Sequence, residues 1–217
     1  MQATRMTKAT HIASGTVTTY LYDATNRRVR KTEGGVRTFY VWEGDQIVAE
    51  YADNGTTVLA EYVYLGGRLL ASEAGTVRTY NHQDRLSTRM QTDSTGAIAG
   101  TQSHLPFGEQ VSGTGSTFKR RFTTYDRDAE TGTDYAMNRQ YANRLGRFMR
   151  PDPRLGSLLN PQTLNRYAYL HGDAVNLIDP LGLGPRPPEH PGGARNDFAL
   201  WELVRWALIP LLGDPCA

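Results

Sequence analysis

The sequence predicts an all-β protein in which stacked β-hairpins form a curved sheet. Three observations support this class. The 217 residues include 22 glycines and 12 tyrosines, and glycine with tyrosine, threonine and valine favours short strands and turns over helices. Strong turn signals, such as Asp53-Asn54-Gly55, separate short β-prone runs. A unit made of an aromatic residue, a turn and an aliphatic residue also recurs through the first half of the chain.

Composition and charge limit the classes of function. The net charge is +2 at neutral pH, so no general attraction to nucleic acid or to an acidic membrane is expected. The one cysteine, Cys216, excludes an intrachain disulfide framework and a cysteine-built metal site. The sequence contains no apolar run long enough for a membrane span. Residues 1–15 are polar and lack the apolar core of a signal peptide.

The repeat region is predicted to occupy residues 16–110, after a frayed start or partial strand over residues 1–15. Thr16–Tyr22 is rich in β-branched and aromatic residues, and a turn at Asp23–Asn26 follows it. An aspartate side chain can bond the backbone ahead of it, and asparagine tolerates a positive φ. Strands and turns alternate in the same way as far as Gln110, which predicts antiparallel pairing throughout.

The repeat unit is marked by tyrosines. Tyr22, Tyr40, Tyr64 and Tyr80 each precede a turn and an aliphatic residue, at spacings of 18, 24 and 16 residues. This spacing is the length of one β-hairpin, and hairpins placed side by side make a continuous sheet. We expect the tyrosine rings to stack along one face of that sheet. A β-sandwich with coincidental tyrosine spacing is the alternative.

A second unit is predicted over residues 117–183. Phe118–Arg121 is expected to start a strand, Tyr125–Tyr135 to be a turn, and Ala136–Tyr141 to form the next strand. After Leu183 the composition changes abruptly, which suggests a processing site at this point.

The region after Leu183 divides into a linker and a tail. Residues 184–195 are rich in proline and are expected to be an extended linker. In the tail, residues 196–217, Asn196-Asp197 can cap a helix that ends at Pro210. This helix is apolar nearly all round, so we expect it to be buried in a groove, a partner or a parent shell. It is too short to span a bilayer, although a membrane-active remnant is an alternative.

Several motifs of the chain resemble those of a known family. The Tyr-Asp hairpin repeats are similar to Rhs/YD-repeat proteins, and the second unit resembles their RHS repeat-associated core domain. The motifs that carry the resemblance stand in the family's order: Phe122–Tyr135, Gly146-Arg147-Phe148, Pro151-Asp152-Pro153, Leu164–Tyr169 and Asp179-Pro180-Leu181-Gly182-Leu183. Repeats and core together cover about residues 16–183.

The resemblance implies a function. Such proteins are bacterial toxins in which a spiralling β-cocoon encloses a C-terminal toxin and the core domain closes one end. The core acts as an aspartyl self-protease that cuts after the last leucine of Asp-Pro-x-Gly-Leu, here between Leu183 and Gly184. The implied partners are upstream shell repeats, the toxin segment, a secretion machinery and an immunity protein, without a cofactor. About four hairpins are too few to enclose a cargo, so we expect a C-terminal shell piece followed by a truncated toxin region.

The candidate catalytic residues are carboxylates. Hydrolysis of a peptide by this chemistry needs two carboxylates, one neutral and one charged. Asp152 is the first candidate, because the family motif contains it and prolines flank it, although an aspartate beside proline is also common in turns. Its partner is Asp179 or Asp173, with a preference for Asp179. Arg139 is a candidate cation that keeps a carboxylate charged or orients the scissile peptide.

The substrate segment is assigned to Gly182, Leu183 and Gly184. Gly182 lets the backbone approach the catalytic groups closely, and a tethered substrate has a high effective concentration. Asp-Pro-Leu-Gly-Leu as a simple closing turn is the alternative. The five histidines lack ligand spacing, so no metal is predicted, and the sequence has no phosphate loop and no serine-nucleophile elbow.

Two rival functions come from other classes. In the first rival function, the chain is a catalytically inactive structural fragment of a shell, and its exposed edge strands favour association. In the second, the tyrosine-rich hairpins bind carbohydrate or a cell surface. The mixed basic and acidic residues between Lys119 and Arg154 do not form the basic stripe expected of a phosphate-binding surface.

Overall fold

The computed structural model describes residues 5–84, 87–115, 118–123 and 125–185. Over these ranges the fold is all-β, with two antiparallel sheets and no α-helix, and the predicted fold class is confirmed. The predicted apolar tail and most of the proline-rich linker lie outside the described residues. The boundaries assigned to the repeat region and to the second unit remain predictions.

The larger sheet has 11 strands, and each strand pairs with the next one along the chain. This order is what consecutive hairpins produce. The strands are β1 Lys8–Thr10, β2 Val17–Tyr22, β3 Arg28–Glu33, β4 Val36–Glu43, β5 Gln46–Tyr51, β6 Val58–Leu65, β7 Arg68–Ala74, β8 Val77–Gln83, β9 Thr88–Thr92, β10 Ile98–His104 and β11 Gln110–Thr114. The short β1 lies within the predicted frayed start.

Two of the hairpin turns share one hydrogen-bond pattern. In each, an aspartate Oδ1 accepts hydrogen bonds from the backbone N–H groups two and four residues ahead. The pairs are Thr25 and Arg27 for Asp23, at 2.8 and 2.9 Å, and Thr95 and Ala97 for Asp93, at 2.8 and 3.0 Å. The fourth residue of the turn has a positive φ in both cases, 71° at Asn26 and 87° at Gly96. The aspartate therefore fixes the turn, as its side-chain chemistry predicts.

The smaller sheet has four strands: β12 Asp126–Asp128, β13 Thr133–Ala136, β14 Arg139–Ala142 and β15 Arg147–Phe148. A short 3₁₀ helix at Asn143–Leu145 lies between β14 and β15, and two more follow β15 at Pro161–Leu164 and Leu170–Gly172. Two sequence predictions were wrong here. Tyr125–Tyr135 contains parts of two paired strands, and a tight turn at Met137, with a φ of 51°, interrupts the strand expected over Ala136–Tyr141.

The core of the second unit is aromatic. Five fully buried rings contact one another, with Tyr141 at their centre. Tyr141 lies 5.8 Å from Phe122 and 4.8 Å from Tyr169 between ring centroids, and it meets Phe148 edge-on at 5.4 Å. Its hydroxyl donates to the Phe107 carbonyl at 2.7 Å, so the polar tip of this buried ring is satisfied. This cluster supports the strands that carry the candidate site.

The predicted stacking of the repeat tyrosines was not found among the described residues, where cations lie against these rings instead. The Arg5 guanidinium is 5.5 Å from the Tyr22 ring centroid, and that of Arg120 is 5.3 Å from the Tyr64 ring centroid. The Arg28 guanidinium lies 5.1 Å from the Tyr20 ring centroid and 5.6 Å from that of Tyr40. The guanidinium of Arg120, which comes from the second unit, lies 4.1 Å from the Tyr62 ring centroid. An aromatic face attracts a cation, so the tyrosine face of the sheet binds side chains and does not form a ladder of rings.

Buried and partly buried ion pairs join the repeat sheet to the second unit. Arg28 pairs with Asp128 and Lys31 pairs with Glu130, at 2.6 and 2.7 Å. Lys119 pairs with Glu50 further along the repeat sheet. In each pair one partner belongs to the repeat sheet and the other to the second unit. The two sheets therefore pack against each other through charges as well as apolar contacts. Among the described residues, none of the helices is long and apolar enough to cross a membrane.

Candidate functional site

Arg139 is the first residue of β14, directly after the tight turn at Met137 and Asn138. Its side chain is only 2% exposed. The guanidinium lies over the ring of Phe148, 3.5 Å from the ring centroid. Stacking on an aromatic ring leaves the edge of the planar guanidinium free to donate hydrogen bonds in several directions. The turn and the aromatic core together aim this cation at one point of the second unit.

The guanidinium of Arg139 contacts four acceptors. Nε donates to the Gly182 carbonyl at 2.6 Å, and Nη1 donates to the Arg166 carbonyl at 3.2 Å. Nη2 lies 3.0 Å from Asp152 Oδ2 and 3.3 Å from Asp179 Oδ2. Burial lowers the pKa of Arg139, and the two carboxylates oppose that shift. Asp152, Asp179 and Gly182, which the sequence analysis singled out, thus meet at the side chain of Arg139.

Asp152 lies in the loop after β15, and Arg166 holds its backbone. The Asp152 N–H donates to the Arg166 carbonyl at 2.8 Å, and the Arg166 side chain donates from Nε to the Asp152 carbonyl at 2.7 Å. The other carboxylate oxygen of Asp152, Oδ1, accepts a hydrogen bond from the Arg154 N–H at 2.8 Å. The Asp152 side chain is 16% exposed, so its carboxylate can still contact water.

Asp179 is the buried carboxylate of the site, with a side chain 2% exposed. Burial raises the pKa of Asp179, and the charge of Asp152 adds to this shift. The N–H groups of Gly184 and Leu183, together with Arg139, act in the opposite direction. The Leu183 N–H donates to Asp179 Oδ1 at 2.9 Å. Asp179 is therefore more ready to carry a proton than an ordinary aspartate, and it contacts the N–H groups of Leu183 and Gly184.

Asp173, the other candidate partner of Asp152, is engaged elsewhere. Its Oδ1 accepts hydrogen bonds from the backbone N–H and from Nδ2 of Asn176, both at 3.0 Å. These contacts close its own turn, the role that a loop cap has. The structure thus brings Arg139, Asp152 and Asp179 together and leaves Asp173 outside the group.

The segment around Gly182 is held at each peptide group. Asn138 Nδ2 donates to the Leu181 carbonyl at 2.9 Å. Gly182 has a φ of 68°, and a Cβ added to it would lie 2.7 Å from the Ala136 carbonyl oxygen. Real Cβ atoms do not approach a backbone oxygen so closely, so this position needs glycine for both reasons.

Sequence reasoning missed three residues of this site. Asn138 and Arg166 hold the backbone of the site, and the Tyr125 hydroxyl donates to the Asp179 carbonyl. Arg166 and Tyr125 lie within two of the family motifs, Leu164–Tyr169 and Phe122–Tyr135, and this position could have identified them. Asn138 stands beside Arg139 in a turn, and nothing in its sequence context marks it.

An open cleft of about 180 Å³ lies against the site. Asp152, Asp179, Leu183 and Gly184 line it together with the Arg139 guanidinium. The site can therefore provide one buried carboxyl group, one carboxylate in contact with solvent, a cation and a short segment of backbone. This set suits hydrolysis of a tethered peptide. It equally suits a purely structural lock on the segment that ends at Leu183.

The fold and the site define a class, a hairpin-repeat β protein with a smaller β-unit packed on the repeat sheet. The comparisons with known proteins agree with this class. The chain is 31% identical over 171 residues to the tRNA3(Ser)-specific nuclease WapA of Bacillus spizizenii. It is 32% identical over 171 residues to the tRNA nuclease WapA of Bacillus subtilis. In both cases the match covers 76% of this chain and 7% of the relative. No family model matches the chain.

Solved structures with the same fold come from Tc toxins. The TcdB2–TccC3 crystal structure matches 79% of this chain and 9% of its own, with a TM-score of 0.62 at 22% identity. A Photorhabdus luminescens Tc holotoxin pore covers 82% of this chain and 9% of its own, with a TM-score of 0.61 at 21% identity. The repeats, the core motifs and the two WapA relatives place the chain in the Rhs/YD-repeat family, and the solved structures show the same fold.

Proposed function

We propose that this chain is a shell segment of an Rhs-type polymorphic toxin, and that it cleaves itself between Leu183 and Gly184. One observation carries the proposal. A single guanidinium, that of Arg139, contacts Asp152, Asp179 and the carbonyl of Gly182. Two carboxylates and the segment that ends at Leu183 are thereby held at one point, which is the arrangement that carboxylate-based peptide hydrolysis requires.

Asp179 is the proposed general acid. Its raised pKa favours the protonated form, which is the form that can donate. Its contact with the Gly184 N–H places it beside the nitrogen that leaves when the bond breaks. In the breakdown step, the bond from the Leu183 carbonyl carbon to Gly184 N breaks. The proton moves from Asp179 to that nitrogen, which leaves an amine at Gly184 and a carboxylic acid at Leu183 that then loses its remaining proton to water.

Asp152 is the proposed general base. Its carboxylate lines the open cleft and is more exposed than that of Asp179. A water molecule in the cleft gives one proton to Asp152 while its oxygen bonds to the Leu183 carbonyl carbon. Because enzyme and substrate are one chain, a single productive geometry suffices for one cut.

Arg139 is the proposed orienting cation. Its Nη2 lies 3.0 Å from Asp152 Oδ2 and holds the carboxylate of the proposed base in place. Its Nε also fixes the carbonyl of Gly182, one peptide before the bond that is cut.

The wider proposal concerns the whole protein. The relatives are named as tRNA nucleases, and the solved structures as Tc toxin assemblies. We propose that upstream repeats extend the sheet of this chain into a shell, and that the sequence after Leu183 belongs to the enclosed toxin. Secretion machinery and an immunity protein are proposed as further partners, in a bacterial protein that is secreted or delivered into another cell.

Intact mass of the purified chain tests the cleavage. We expect two fragments, residues 1–183 and residues 184–217. Asp152→Asn and Asp179→Asn are each expected to remain uncut. Asp173→Asn is the matched variant, and it is expected to be cut like the wild type because Asp173 only closes its own turn. An uncut wild type, or an Asp152→Asn chain still cut at Leu183, would refute the catalytic assignment.

A structural lock is the second candidate function. It is favoured by the position of Arg139 between the two carboxyl groups, since one buried guanidinium in contact with both holds two distant loops together. In that case the wild type remains uncut, and Asp152→Asn and Asp179→Asn lower the stability of the second unit without any effect on processing.

A further inference from the structure

The turn between β2 and β3 contains an asparagine that the turn itself does not need. Asn26 occupies the position with a positive φ, and Gly96 occupies the same position in the matching turn between β9 and β10. Glycine adopts this conformation at a lower cost than asparagine. The aspartate hydrogen bonds that define the two turns are otherwise the same. The turn conformation therefore does not explain why position 26 carries an asparagine side chain.

The Asn26 side chain reaches the second unit. Its Nδ2 donates to Oδ1 of Asn138 at 2.9 Å, across 112 positions of sequence. The Asn26 carbonyl also accepts a hydrogen bond from the Tyr135 hydroxyl at 3.1 Å, and the Arg28 N–H donates to the same hydroxyl at 2.9 Å. The turn is thus docked by three hydrogen bonds onto the β13–β14 hairpin, next to Arg139.

Asn138 passes this contact on to the segment that ends at Leu183. The residue is buried, and its Nδ2 donates to the Leu181 carbonyl at 2.9 Å while its backbone N–H donates to the same oxygen at 3.2 Å. A carboxamide has its acceptor on one side and its donors on the other. When the oxygen of Asn138 accepts from Asn26, its NH2 group is turned toward Leu181.

We propose that Asn26 and Asn138 are positioning residues that couple the docking of the β2–β3 turn to the placement of Leu181–Gly184. The repeat sheet then contributes a residue to the processing site, and the site is complete only when the β2–β3 hairpin is docked. Cleavage would follow assembly of the repeats in this way. The link to cleavage rests on the proposed self-processing, whereas the link to the position of Leu181 does not.

The structural half of the proposal is tested in an uncut background. Asn26→Gly removes the donor and keeps the backbone conformation that Gly96 shows to be compatible with this turn. In an Asp152→Asn chain, hydrogen exchange is followed at the amides of Leu181–Leu183. We expect exchange about tenfold faster at these amides, since the hydrogen bond that orients the Asn138 carboxamide toward Leu181 is lost. Protection in β2 and β3 should stay the same.

The matched control is Gly96→Asn, which adds the side chain to the turn that faces no Asn138. It is expected to leave the exchange of Leu181–Leu183 unchanged. If Asn26→Gly also leaves it unchanged, or if protection is lost across β2 and β3 to the same extent, Asn26 has only a structural role and the proposal fails.

The catalytic half is tested in the chain with both aspartates intact. Asn26→Gly is expected to slow the appearance of the 1–183 fragment about tenfold, and Gly96→Asn is expected to leave the rate at the wild-type value. An equal rate in wild type and Asn26→Gly overturns the coupling and leaves self-cleavage standing. An uncut wild type overturns self-cleavage, and the exchange measurement still decides whether Asn26 positions Leu181.

Discussion

Arg28 and Asp128 form a buried ion pair between the repeat sheet and the second unit. Arg28 Nη1 lies 2.6 Å from Asp128 Oδ1, and the two side chains are 2% and 4% exposed. The guanidinium also lies 3.9 Å from the ring centroid of Tyr135. A single arginine of β3 therefore joins the tyrosine face of the sheet to β12 and β13. The second unit is held on the repeat sheet by an ion pair that water does not reach.

Asp128→Ala is expected to lower the free energy of unfolding by about 3–5 kcal/mol, because it leaves the Arg28 charge buried without its partner. Urea denaturation measures this loss. Glu73→Ala is the control, since Glu73 pairs with Arg78 on an exposed part of the sheet and exposed pairs contribute little. Similar losses of unfolding free energy in the two variants would show that burial is not the cause of the stability contributed by the Arg28–Asp128 pair.

Gly182→Ala is expected to disturb the site more than Gly132→Ala. The two glycines have nearly the same φ, 68° and 67°, but only Gly182 lies against another backbone oxygen. The conformational cost of about 1–2 kcal/mol is therefore shared by both variants, and the clash with Ala136 affects Gly182 alone. We expect the larger loss of unfolding free energy for Gly182→Ala, together with a slower cut at Leu183. Equal effects in denaturation and in the rate would argue against the close approach.

Arg139→Lys is expected to reduce self-cleavage by on the order of 100-fold, since removal of one oriented donor from a catalytic site has an effect of this size. A lysine ammonium cannot reproduce the planar fork that reaches Gly182, Arg166 and both carboxylates. The rate is read from the time course of intact mass. A lysine variant that cuts at the wild-type rate would show that charge alone, without the fork, is sufficient.

Above the pKa of Asp179, the cleavage rate is expected to fall as pH rises. Burial raises the pKa of Asp179, and the proposed acid acts only while it is protonated, so the active fraction decreases above that pKa, by about tenfold per pH unit. Time courses in a series of buffers at constant ionic strength measure the profile. A rate that climbs steadily through the neutral range would contradict the assignment of Asp179 as the acid.

Asp134 is expected to make the stability pH-dependent. Burial raises its pKa to about 6, against the hydrogen bonds that it accepts from Arg127. As pH rises from about 4 to about 6, the unfolded chain loses this proton first. The folded state then holds more protons, so stability present at low pH is lost through this window, by a few kcal/mol.

Urea denaturation across that window measures the change, and Asp134→Asn is expected to flatten it. The contrast is Asp93→Asn. Hydrogen bonds from Thr95 lower the pKa of Asp93, so its contribution has the opposite sign and is lost only as pH falls. An unchanged slope between pH 4 and pH 6 in Asp134→Asn would exclude Asp134 as its source.

Much of the fold could be predicted, because its signals are local. Aspartate turns, glycines with positive φ and runs of β-branched residues lie within a few positions of one another, so the hairpin order of the large sheet follows from the chain itself. The second unit was harder. The tight turn at Met137 carries no glycine or proline, and the strands on either side were therefore merged. The tyrosine face was misjudged because Arg120, which lies against Tyr62, comes from a distant part of the chain.

By itself the sequence determined the hairpin repeat, the family motifs and the list of candidate residues at Arg139, Asp152 and Asp179. These depend on local patterns and on the order of motifs. Only the tertiary structure decided which carboxylates share Arg139, that Asp173 closes its own turn instead, and that Asn138 holds Leu181. Those contacts join residues up to 43 positions apart. Asn138 also contacts Asn26 in the repeat sheet, 112 positions away. Distances between such residues are set by packing of the aromatic core and the buried ion pairs, which no local pattern encodes.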